Sequence, residues 1–275
     1  MKEYATIFLG NLDMYAILWN QCMIIVSCFN FFVLCTIFST SKSRCTIYRK
    51  QPFAWLWKRV SSYEHYMVTS YVVACAIRAI WPRTDGDRHC FFNTFLSHVS
   101  IGRAVATIAE LSFMTQIGLG LIRLNGNTFI PSMLLVMNGL SQTCCWYAVL
   151  TQNQLGHVIK EFIWMISALI VLIFLFDMNK VRTSDGILFR RIGIFIGFLS
   201  ILFMFFVSIP MYVNRYEIDI RYKKKYMTIT QGWHDIQRCA IASQSDSYWV
   251  HEMPWMTLYF SVAVWISLWM YKAKL

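Results

Sequence analysis

The residues able to do chemistry are few, and most sit in apolar company. Arg78, Arg103, Glu110, His157, Glu161 and Glu252 all fall within or beside long hydrophobic runs. Charged groups in hydrocarbon are costly, so they are expected to face the interior of a helix bundle, find partners there and mark a ligand or ion pathway. Their spacing supports this. Arg103, Thr107, Glu110 and Met114 recur at helical intervals along one face. His157, Glu161, Trp164 and Ala168 do the same, and Glu64, Val68, Tyr71, Cys75 and Arg78 form a third stripe. Gly102, Ala104, Ala106 and Ala109 would let neighbouring helices approach closely. The six ionisable residues are therefore expected to converge in the outer half of a bundle as a ligand-binding or ion-pathway site.

A metal site is the sharper alternative. His157 and Glu161 lie one helical turn apart and could both ligate an ion that activates water, as in an intramembrane lipid hydrolase. The chain holds no His-x-x-x-His pair, and its last apolar run has Trp265 and Ser267 where a seven-helix zinc hydrolase carries that signature. Asp85-Gly86-Asp87 reads as a turn rather than a calcium loop. Most of the nine cysteines fall inside apolar runs and read as small packing residues. Cys90 and Cys239 differ, because both are expected in outer loops, where an oxidising environment would join them in a disulfide. No motif names a cofactor. No phosphate-cradling glycine loop or nucleophile elbow commits the chain to catalysis.

The elements that must carry these residues follow from composition. The chain has 275 residues, 57% hydrophobic and 14% charged, with 25 basic against 14 acidic side chains. Soluble domains carry about 25% charged residues, so too few polar groups exist here to cover a water-exposed globule. A disordered chain and a soluble nucleic-acid binder are excluded on the same ground. Apolar runs near the ~20 residues of a spanning helix predict an all-α, polytopic bundle forming one integral membrane domain. Seven spans are expected, near 16–38, 63–81, 101–122, 128–150, 155–176, 192–213 and 253–271, with 214–252 as an extramembrane loop. Lys42, Arg44, Arg49, Lys50, Lys58, Arg59, Arg123, Lys180, Arg182, Arg190, Arg191, Lys272 and Lys274 outnumber the basic residues of the alternate segments. That bias puts the amino terminus outside and the carboxyl terminus in the cytoplasm. Trp55 and Trp57 are expected at the inner interface, and Trp233, Trp249 and Trp255 at the outer one.

Seven helices with an outer amino terminus match the arrangement of G-protein-coupled receptors, but the residues do not. Asp87-Arg88-His89 precedes a helix instead of ending one, and the last span lacks Asn-Pro-x-x-Tyr. A retinal protein needs a lysine in mid-span, whereas Lys272 closes the last one. The sequence thus reads as a multi-pass protein whose partners are the lipid bilayer, a small polar or amphipathic ligand and other membrane proteins, with no nucleic acid expected. A non-catalytic subunit of a membrane complex is the remaining alternative.

Overall fold

The computed structural model describes residues 2–40, 51–178, 183–238 and 241–273; the side chains of residues 2–13 and 40 are left aside. Twelve α-helices occur among them, in the order α1 (Lys2–Thr40), α2 (Ala54–Ser62), α3 (Glu64–Ile80), α4 (Val99–Asn125), α5 (Phe129–Thr151), α6 (Gln154–Asp177), α7 (Ser184–Phe203), α8 (Ile209–Arg221), α9 (Ile229–Asp235), α10 (Asp246–Trp249), α11 (Met253–Thr257) and α12 (Ala263–Lys272). Three two-residue strands, β1 (Arg83–Thr84), β2 (His89–Cys90) and β3 (Ile241–Ala242), also occur, with a 3-10 turn over Phe95–Ser97 and π-helical turns over Met204–Ser208 and Leu258–Val262. The protein is a multi-pass, all-α integral membrane protein. Among the described residues, six helical segments are long and apolar enough to cross a bilayer: Met14–Ser39, Val99–Asn125, Phe129–Thr151, Gln154–Asp177, Ser184–Arg221 and Met253–Lys272.

The expected span over 63–81 is a helix, but a short one. Helix α3 has 17 residues, a rise of about 26 Å, and carries Glu64 and Arg78 inside its ends. Its predicted stripe is nonetheless buried throughout: Glu64, Val68, Tyr71, Cys75 and Arg78 are all sequestered. The expected loop over 214–252 also carries structure. Helices α7 and α8 run on as one 38-residue segment to Arg221, joined by a π-helical turn over Met204–Ser208. Pro210 stands at the start of α8. It has no N–H to offer the carbonyl one turn back, which locally favours wider helical winding. Pro254 likewise occupies the first turn of α11, where a missing N–H costs nothing.

The chain divides into two compact units. The first comprises Met1–Lys42, Val68–Ala109 and Ile236–Trp269. Within it, Asp246 accepts the Tyr15 and Ala16 N–H groups at 3.1 and 2.5 Å, placing a carboxylate at the start of the first apolar span. Asn30 accepts the Trp265 indole N–H at 2.8 Å, and Asn20 donates to the Ala79 carbonyl at 2.9 Å. A small sheet caps the unit. Strands β1 and β2 form an antiparallel hairpin, and β3 joins β2 in parallel, with His89 opposite Ile241 and Cys90 opposite Ala242.

The second unit comprises Ser43–Met67, Glu110–Asp235 and Met270–Leu275. Trp55 is exposed, whereas Trp57, expected at the interface, is completely buried with Leu119 and Ile122. Its indole donates to Ser132 Oγ at 2.8 Å, and it lies over Gly118, where an added Cβ would meet the ring at 2.6 Å. Helix α9 folds back onto the end of α5. The Met227 N–H donates to the Thr151 carbonyl at 3.1 Å, and Gly232 sits so close that a Cβ would fall 1.9 Å from the Leu150 oxygen.

Candidate functional site

In the first unit, the functional side chains gather where α3 ends and the hairpin begins. Arg83 in β1 extends across α4 at Gly102, where a Cβ would fall 2.2 Å from its Cδ. Only a glycine there leaves the path open. The guanidinium donates through Nε to Asp85 Oδ1 at 3.0 Å and through Nη1 to the Ser97 carbonyl at 2.7 Å. Asp85 lies in the hairpin turn, as its sequence predicts, and its second oxygen faces Arg103 Nη1 at 3.6 Å. Arg78 approaches from α3 with its guanidinium carbon 5.7 Å from the centre of the Phe260 ring, a cation–π arrangement. All three arginines are buried.

Their electrostatics are coupled. Burial alone would raise the Asp85 carboxyl, but the charges of Arg83, Arg78 and Arg103, with the Arg83 hydrogen bond, hold it down to about 2. Arg83 is lowered by burial and by its two arginine neighbours, while Asp85 acts in the opposite direction. Beside this group, His89 stacks on Tyr248 at 3.7 Å and meets Ser243 Oγ through Nε2 at 2.6 Å. Burial lowers the imidazole, opposed by Asp87, and burial raises the Tyr248 phenol. Trp249, expected at the interface, is buried within this aromatic packing. These contacts pin α10 to the hairpin. Glu252, at the start of α11, accepts the Trp255 indole N–H at 2.5 Å.

In the second unit, the polar groups lie along α4, α5 and α6. Glu110 accepts the Gln142 amide through Oε2 at 2.6 Å, and its backbone carbonyl accepts from Asn138 at 3.1 Å. Lys160 pairs with Glu161 at 2.8 Å, and Glu161, Cys145, Glu110 and Tyr212 all act electrostatically on its ammonium. His157 stacks on Tyr212 at 4.8 Å, with Nδ1 4.0 Å from Cys145 Sγ. Close approach of α5 and α6 is set by Gly156, where a Cβ would fall 2.8 Å from both Ala148 Cβ and the Cys144 carbonyl. Arg123 and Glu64 form a further buried ion pair, and Arg123 also donates to the Met270 carbonyl at 3.3 Å.

The six expected residues are thus met in two sets, Arg78, Arg103 and Glu252 in the first unit, and Glu110, His157 and Glu161 in the second. Among the described residues no three His, Cys, Asp or Glu side chains are grouped as ligands to a metal ion. Cys90 is disulfide-bonded, while its expected partner Cys239 lies outside the described residues. Reading the sequence alone missed Arg83 and Asp85, which looked like a loop charge and a turn residue. It also missed Lys160, which pairs with Glu161 and on which Glu110 acts electrostatically. Comparison with protein-family models, curated proteins and solved structures yields no match to this chain.

Proposed function

We propose that this membrane protein binds or conducts a small polar or amphipathic ligand. Arg78, Arg103 and Glu252 serve in its first unit, and Glu110, His157 and Glu161 in its second. One observation carries the reading. Lys160, Glu161 and Glu110 form an electrostatic group on helices otherwise apolar enough to cross a bilayer, and Gln142 and Asn138 hydrogen-bond to Glu110. An ammonium beside two carboxylates is a poor way to stabilise hydrocarbon packing. Replacing a buried ionic group by apolar residues is often neutral or stabilising. Groups of this kind inside spans commonly serve substrates, ions or protons.

The test uses the purified full-length protein. Its melting temperature is followed against a panel of amino acids, nucleotides, organophosphates and short-chain amphiphiles, because a ligand that binds only the folded state raises it. A compound that stabilises the wild type and fails with Glu110→Gln and Glu161→Gln is the expected result. If every compound acts equally on wild type and both variants, the second-unit residues hold no ligand and the reading fails.

A further inference from the structure

We infer that the arginine group of the first unit is a binding site for a phosphate-class anion, with Arg78 as the donor that receives it. The inference rests on the ligand-binding reading above and deepens it by naming the ligand chemistry. Three guanidiniums are gathered here, and the Arg78 and Arg103 charges both act against Arg83. Such gathering is unfavourable unless an anion draws the cations together. Asp85 is the resident anion. Its two oxygens are taken up by Arg83 at 3.0 Å and Arg103 at 3.6 Å. The Arg78 Nε, in a side chain 92% buried by its 8% exposure, has no hydrogen-bond partner.

A buried donor on a charged group is costly to leave unsatisfied, which makes this atom the one place where the group is incomplete. Its setting suits a ligand. The Phe260 ring supports the guanidinium carbon at 5.7 Å, and stacking on an aromatic face leaves the in-plane N–H edge available for hydrogen bonding. Arginine presents a rigid, permanently charged fork matched to phosphate oxygens. The tetrahedral oxygens of phosphate can accept from guanidiniums arriving by different routes, as Arg78, Arg83 and Arg103 do from α3, β1 and α4. Phosphate here has two sources, a lipid headgroup and a free phosphate compound.

The experiment measures binding by full-length protein of inorganic phosphate in detergent, and of phosphatidic acid in nanodiscs against a phosphatidylcholine background. Saturable stabilisation by phosphatidic acid alone assigns the headgroup as source; saturable stabilisation by inorganic phosphate assigns the free compound. Stabilisation by neither overturns the proposal. Arg78→Gln is expected to weaken the successful probe by about tenfold or more, and equal binding by this variant also overturns it. Arg78→Lys keeps the charge and loses the Nε donor, so it is read in the same way should Arg78→Gln fail to fold. Lys224→Gln, at an exposed ion pair with Asp219 in the second unit, should bind phosphate as the wild type does. Phosphate failure beside a positive ligand panel sinks only the anion site, whereas the converse sinks only the second-unit reading.

Discussion

The two units hold charge among apolar helices with opposite chemistry. In the first, three guanidiniums act on the carboxylate of Asp85. In the second, two carboxylates act on the ammonium of Lys160. The difference lies in what each set can do when its balance is disturbed. Arginine stays protonated in proteins, so the first set is a fixed positive charge that only a counter-anion can neutralise. Glutamate and lysine exchange protons, so the second set can relax by moving one. A site of the first kind suits holding an anion, and one of the second kind suits a pathway along which charge is handed on.

The largest effect that would test this contrast is loss of Asp85. Asp85→Ala leaves Arg83 and Arg103 without their carboxylate, and should cost about 3–5 kcal/mol, read as a large fall in melting temperature. A neutral drop would mean that the arginines do not depend on it. The acid dependence follows in sign. The folded carboxyl is held at about 2, below its unfolded value near 3.9, so its stabilisation is present above pH ~4 and is lost as pH falls toward ~2. Asp85→Asn should abolish that part of the acid profile.

Next in size is the disulfide of the first unit. The described cysteines Cys22, Cys28, Cys35, Cys75, Cys144 and Cys145 are free, and strand β3, which begins at Ile241, pairs with the strand that holds Cys90. We propose Cys239 as the partner on that basis. Cys90→Ser should free one thiol at Cys239 in non-reducing mass analysis and cost about 2–4 kcal/mol. A Cys239 still blocked in that variant would refute the pairing.

The smallest effect is expected in the second unit. Lys160→Met removes the ammonium, yet Lys160 keeps 18% of its side chain exposed. A loss of about 1–2 kcal/mol is expected, discounted for that exposure. A loss as large as that of Asp85→Ala would erase the distinction between the two units.

Much of this was legible from residue order. The long apolar runs name the helices, and helical spacing alone selects the buried face of α3 from Glu64 to Arg78. Glu110 and Glu161 were visible as charges out of place. What stayed hidden depends on contacts distant in sequence. Arg123 resembles a topological charge in a short link until Glu64, 59 positions away, is found against it. Trp57 looks interfacial beside Lys58, but Gly118 and Ser132 make room for it inside. Arg83 and Asp85 sit at a hairpin whose strands are two residues long, too short for alternation to reveal. The glycine that accommodates Arg83 reads in sequence only as a small residue.

The joined helix from Ser184 to Arg221 has a geometric consequence. Its 38 residues rise about 57 Å, against a hydrocarbon core of about 30 Å. Fitting that length wholly inside would demand a tilt near 58°, beyond the 0–40° range of membrane helices. Part of the helix must therefore lie outside the hydrocarbon core. Arg215, Glu217, Asp219 and Arg221 make its far end the charged part, and Asp219 pairs there with Lys224.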